Sequence, residues 1–294
     1  MRKYKFLFLV IALAISAVAV AAIRAGKEKA PEPAVEQKNP QTPVQMATLG
    51  TNNSATAKTD LAGKGNGLAA LEQASQENKY LFIYFYDGDN EKNGASRKTF
   101  ESIMDTMADE ATWVAVNKNA PTEKQIVEKL QVQTAPMPLI VAIAPNGAIT
   151  GGFAPGQEIT EESLRRVIVT PGLQKCLKAL QERKIVFLCA QNKKTKFNDA
   201  AMRGVNDFKS DSRFAQLTEI VTIDPADKIE EKFIAQLKID PNTDGAITAF
   251  LAPPGTIIGK YEGSTNKEML LASLQQAMAS CGSGCGPQGC APQK

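Results

Sequence analysis

The chain contains no histidine. That absence removes the commonest general base and the commonest metal ligand together. Ser-His-Asp and Cys-His catalysis are excluded, and so are zinc sites that need imidazole. A charge imbalance is also missing. The 34 basic and 31 acidic residues leave a formal +3, thinly spread, with no footprint for nucleic acid. Cysteine is scarce, five in 294 residues, and three of the five fall in the last few residues.

What is present begins with a basic head. Arg2, Lys3 and Lys5 precede an uncharged apolar run from Phe6 to Ile23. A cationic start before an apolar core is the pattern of an export signal, and Ala17 to Ala21 offers small-residue cleavage positions. The run is also just long enough to span a bilayer, so residues 1–23 read as either a cleaved signal or a retained anchor. Both place the rest of the chain outside the cytoplasm, in the periplasm or cell envelope. No cysteine follows the run, which argues against lipoprotein processing. Residues 24–65 are rich in Pro, Ala, Thr, Asn, Gln and Lys without apolar periodicity, and read as a disordered linker.

The remainder is organised around a stretch that occurs twice. LQVQTAPMPLIVAIAPNGAITGGF, residues 130–153, is answered by LKIDPNTDGAITAFLAPPGTIIGKY, residues 237–261. Leu130 and Val132 match Leu237 and Ile239, Ala144-Pro145 matches Ala252-Pro253, and Gly147 matches Gly255. A repeat of about 105 residues is a domain rather than a solenoid unit, so two copies of one small fold are expected. At 43% hydrophobic residues the chain can build two cores. In each copy a helix tail, a bend, an apolar run, a glycine turn and a second strand follow one another.

The first unit, 66–169, reads as a helix over 67–78, the apolar strand YLFIYFY (80–86) and a helix over 97–111. A strand over 113–117 and a helix over 123–130 follow, then the hairpin and a helix over 161–169. The second, 170–280, reads as a helix over 171–182, the strand KIVFLCA (184–190) and helical residues 197–214. A strand over 217–223, a helix over 228–237, the hairpin and a helix over 267–278 complete it. This order, with Met137-Pro138 just before the hairpin strand, resembles the thioredoxin-like superfamily. The resemblance implies an α/β fold of two tandem thioredoxin-like domains, each a central mixed sheet flanked by helices, with Pro138 as a structural cis-proline. In redox-active members, a Cys-x-x-Cys pair opens the helix after the first core strand, where the helix dipole favours a thiolate. Neither corresponding loop here has a cysteine. The first is DGDNEKNGASR, residues 87–97, with Asn93 to Ser96 on the motif; the second is QNKKT, residues 191–195. The acidic first loop lacks the ligand alternation of a calcium loop. The second copy also lacks a proline at the Pro138 position.

Cys176 and Cys189 fall on an apolar helix face and in a core strand, where a thiol behaves as a small hydrophobe; a disulfide between them is the alternative. The tail, residues 281–294, carries Cys281, Cys285 and Cys290 among glycines and prolines that cannot build a core. Three thiolates suit a soft ion such as Cu(I) or Zn(II), or Cys281 and Cys285 close an exchangeable ring that leaves Cys290 for a partner. The spacing matches no standard zinc or ferredoxin pattern. The expectation is an exported, membrane-tethered binding or scaffold protein with a protein partner in the cell envelope. Its thiol-rich tail binds metal or exchanges thiols. Thioredoxin-like domains without the cysteine pair commonly serve as binding modules in larger oxidoreductases. The rivals are a thiol–disulfide oxidoreductase or reductant relay using Cys281 and Cys285 as catalytic thiols, and a Cu/Zn chaperone.

Overall fold

The computed structural model describes residues 65–88 and 91–282. The readings of 1–23 and of the linker up to residue 64 lie outside these residues, as do Cys285 and Cys290. The first unit contains α1 (Asn66–Gln76), β1 (Tyr80–Tyr86), α2 (Glu91–Thr106), β2 (Ala111–Asn117), α3 (Lys124–Lys129), β3 (Leu139–Ile143), β4 (Ile149–Phe153) and α4 (Glu161–Arg166). The second contains α5 (Pro171–Gln181), β5 (Ile185–Ala190), α6 (Asn198–Lys209), β6 (Thr218–Ile223), α7 (Glu231–Gln236), β7 (Ile247–Ala252), β8 (Thr256–Glu262) and α8 (Lys267–Gly282). Among the described residues no helix is long and apolar enough to cross a membrane.

The two sheets have the same plan. Their orders are β2-β1-β3-β4 and β6-β5-β7-β8, with the first pair parallel and the other two antiparallel in each. This is the thioredoxin-like arrangement, twice. β1 is central because both its faces are apolar. Tyr80, Phe82 and Tyr84 enter the cluster around Phe100 and Met104, while Leu81, Ile83 and Phe85 enter the one around Ile126 and Val141. In β5, Val186, Leu188 and Ala190 take one face and Phe187 and Cys189 the other.

The repeat extends to the backbone. Asn78 and Arg183, after α1 and α5, both have positive φ (54° and 63°), and so do Gln131 and Lys238 (56° and 54°). The hairpin turns are carried by Gly147 and Gly255 at φ +81° and +139°, where a side chain would be strained. Each β-hairpin has a register shift at the same place, Ala142/Ile143 and Phe250/Leu251.

Several boundaries differ from the sequence expectation. α2 starts at Glu91 rather than Arg97 and ends at Thr106 rather than Ala111. Gly94 is absorbed inside the helix because the stripe of Phe100, Met104 and Met107 anchors it to the core. Ala111 is instead drawn into β2 opposite Tyr80. The helix expected over 197–214 ends at Lys209, and α4 stops at Arg166. α8 runs past Met278 through Cys281 to Gly282, so the helix continues into the segment read as tail.

Candidate functional site

Each unit opens its first helix on a buried carboxylate. In unit 1 the backbone N–H groups of Asn66 and Gly67 donate to Glu123 Oε1 (2.8 Å) and Oε2 (3.0 Å). In unit 2 the Gly172 N–H donates to Glu230 Oε1 (2.6 Å), while Oε2 is buried with no partner. The cause is visible in the sequence: Pro171 holds the place of Asn66 and has no N–H to give. Close approach needs glycine at both sites. A Cβ on Gly67 would lie 2.9 Å from Ile126 Cγ2, and one on Gly172 2.7 Å from Ile223 Cγ2. Sequence reading missed both carboxylates; their signal was a glutamate at matching places in the two copies.

At the other end of the unit 1 sheet, the start of α2 faces the bend before β3. The Met137–Pro138 peptide is cis, and both residues are half-buried. A dimple of about 20 Å³, room for one water, is lined by Tyr84, Ser96, Pro138, Phe153 and Gln157 among others. The fold therefore brings Ser96 next to Pro138, with Ser96 on α2 rather than in a loop. Tyr84 is fully buried and hydrogen-bonded to the Ser96 side chain; burial pushes its phenol above the ordinary value. Arg97 lies 6.0 Å from the Tyr86 ring and 5.9 Å from the Trp113 ring, its Nε 2.7 Å from Glu101 Oε1. Polar and apolar surfaces meet here, but no described side chain is a nucleophile with a base beside it.

The same region of unit 2 is shut. The loop after β5 is braced by its own side chains: Asn192 N–H donates to Thr195 Oγ1 (2.9 Å), Thr195 Oγ1 donates to Asn198 Oδ1 (2.7 Å), and Asn192 Nδ2 donates to Asp224 Oδ1 (2.8 Å). Lys196 then pairs with Gly245 as an isolated parallel bridge. The Lys196 N–H donates to Asp244 O (2.7 Å), and the Ala246 N–H donates to Lys196 O (2.9 Å). Ala246 holds the place of Pro138, and a proline has no N–H for that second bond. Gly245 and Ala246 are buried as a result, whereas Met137 and Pro138 are not. The absent proline was visible in the sequence; the bridge that it permits was not.

The two core thiols are free and fully buried on opposite faces of the second sheet, Cys176 beside Val186 and Cys189 beside Phe187. Burial pushes Cys176 up to about 12 and Cys189 up to about 11, so neither is a thiolate near neutrality. Among the described residues no three Cys, Asp or Glu side chains gather to hold a metal. The candidate ligands Cys281, Cys285 and Cys290 have no described side chain.

A seam joins the units. Tyr80 Oη donates to Val169 O (2.8 Å) and accepts from the Val169 N–H (2.8 Å) and Gln174 Nε2 (3.0 Å). Gln181 pairs with both backbone groups of Ile149, donating to its O (2.7 Å) and accepting from its N–H (2.9 Å).

No protein-family model and no curated protein matches the sequence. Among solved structures, the chain is similar to a DsbH oxidoreductase at 18% identity, over 40% of this chain and 92% of that one, with a TM-score of 0.27. It is also similar to the first two thioredoxin domains of Saccharomyces cerevisiae Eps1p at 13% identity, over 72% and 96% of the two chains, TM-score 0.28. The NTD_N/C domain of alkylhydroperoxide reductase AhpF from Enterococcus faecalis matches at 15% identity, over 70% and 98%, TM-score 0.22. The fold assignment stands on the strand order and pairing of this chain itself: both units have a thioredoxin-like fold.

Proposed function

We propose that this tandem thioredoxin-like chain is a non-catalytic binding protein that holds an extended polypeptide in the groove of unit 1, between the start of α2 and Met137-Pro138. The supporting observation is the contrast between the two grooves. In unit 2 the backbone before β7 is bridged by Lys196 and buried; in unit 1 the equivalent residues stay half-exposed. Backbone pairing supplies affinity in such a groove, and the dimple lined by Tyr84, Phe153 and Gln157 supplies side-chain selection. Unit 2 serves as a brace. In this reading the chain is exported and tethered by residues 6–23 in the cell envelope, where its protein partner resides.

The test uses a carboxymethylated, permanently unfolded polypeptide and fluorescence anisotropy with the full chain. Ser96→Trp fills the dimple and is expected to weaken binding at least tenfold, while Lys196→Ala leaves it unchanged. Equal binding by the Ser96→Trp variant refutes the reading.

A second reading concerns the tail. Because Cys176 and Cys189 are buried and protonated, thiol or metal chemistry in this chain falls to Cys281, Cys285 and Cys290. Turnover of a model disulfide that vanishes in Cys281→Ser/Cys285→Ser assigns thiol exchange. Stoichiometric Cu(I) or Zn(II) uptake lost on deleting 281–294 assigns metal holding. Absence of both removes this reading and leaves the groove reading intact.

A further inference from the structure

Strands β4 and β8 hold the same place in the two units, yet β4 is almost wholly buried and β8 is largely exposed. The difference lies in what covers them. Over unit 1, helix α5 passes across the hairpin turn. Leu177 packs on the cluster containing Ala144, Ala148 and Val167, and Gln181 satisfies the outward N–H and C=O of Ile149.

Ile257 is the counterpart of Ile149. Each is the residue after the turn that pairs across to the strand before it, Ile143 in one case and Leu251 in the other, beside the same register shift. Ile257 is 48% exposed, and among the described hydrogen bonds none reaches its outward backbone groups. The turn residues Ala252 to Gly255 are half-exposed and Thr256 is exposed.

Among the described residues nothing takes the place of α5 over β8. After α4, Thr170-Pro171 breaks the chain and starts α5, with Thr170 accepting from the Leu173 N–H. After β8, α8 meets no proline and continues straight to Gly282. Residues 283–294, SGCGPQGCAPQK, contain no Leu, Ile, Val, Phe or Met for an apolar stripe.

We propose that the β7–β8 hairpin of unit 2 is a docking surface for an amphipathic helix of a partner protein, seated as α5 is seated on unit 1. The face that α5 turns to unit 1 sets the register: Gln174 on the Tyr80 hydroxyl, Leu177 on the core edge, Gln181 on the strand backbone. Unit 2 has Ile185 where unit 1 has Tyr80, so the first contact there is apolar. The partner helix therefore carries an apolar residue, a second apolar residue three positions on, and a glutamine or asparagine four positions after that. A carboxamide fits because, as Gln181 does on Ile149, its NH₂ donates to the strand carbonyl while its oxygen accepts from the strand N–H.

The probe is a fluorescein-labelled peptide of residues 170–184 with Gln174→Leu, titrated into the full chain and read by anisotropy. Saturable binding is expected, at least tenfold weaker to Ile257→Asp, and weaker for the peptide that also carries Gln181→Leu. Ile257→Asp, at a half-exposed site, is expected to keep the wild-type circular dichroism and denaturation midpoint. No saturable binding, or equal binding by Ile257→Asp, overturns the proposal. So does a chain lacking 283–294 that binds the peptide when the full chain does not, since the tail is then the occupant. A wild-type dimer that Ile257→Asp converts to monomer overturns it too, since the occupant is then a second copy.

Discussion

Replacing the two buried glutamates by glutamine is expected to have unequal effects, although the residues are equivalent in the repeat and equally buried at 5% exposure. Glu123 uses both oxygens on helix N–H groups; Glu230 uses one. In Glu123→Gln the new NH₂ faces an N–H donor. One charge-assisted bond is lost, the other is weakened to a neutral one, and a donor is left unsatisfied, for about 2–4 kcal/mol. In Glu230→Gln the carbonyl oxygen stays on Gly172, and the NH₂ takes the position of the oxygen that had no donor. The loss is then the charge assistance of one bond, about 1 kcal/mol, offset by no longer burying a charge. The two substitutions should differ by about 2 kcal/mol, read as unfolding free energy from urea denaturation. Pro171→Ala restores the missing N–H, and in that background Glu230→Gln should become as damaging as Glu123→Gln, a coupling that a double-mutant cycle measures. Equal losses in the wild-type background, or a larger loss at Glu230, would refute the assignment of Pro171 as the cause.

Three other outcomes are expected. Tyr80→Phe strips Val169 and Gln174 of a shared partner at a half-buried seam, so it should lower stability by about 2–3 kcal/mol and split unfolding into two transitions, followed by calorimetry. With iodoacetamide at pH 8, Cys176 and Cys189 should stay unmodified in the folded chain and react only in denaturant; mass spectrometry counts the adducts. Asp211 accepts from Arg213 Nε (2.9 Å) and Lys267 Nζ (2.9 Å), which hold its carboxyl well below the usual carboxylate range. Its contribution is therefore present above the unfolded value of about 4 and lost as pH falls below it, and Asp211→Asn should flatten the acid limb of a stability–pH curve.

The repeat was legible because apolar residues at strand and turn positions are dictated by packing on both faces of a sheet. Leu130 and Leu237, Val132 and Ile239, and Gly147 and Gly255 all read correctly as equivalent pairs, and all the apolar ones are buried. Helix ends were less legible. α2 keeps Gly94 inside it because tertiary contacts of Phe100 and Met104 outweigh a local penalty of about 1 kcal/mol. Of the features that distinguish the two grooves, the missing proline at Ala246 was legible and the bridge that it permits was not. The Lys196–Gly245 bridge joins residues far apart in sequence through backbone atoms, which every residue carries alike. The free oxygen of Glu230 depends on a proline nearly sixty positions away, seen only once both are placed.

Helix α5 opens the second unit and also finishes the first. It is a party wall: severing the chain near residue 170, where the repeat invites a cut, would leave the earlier half unroofed, with the Ile149 edge bare and the Tyr80 hydroxyl stranded. The two units are thereby indivisible on one side only: the first needs α5, and the second already contains it.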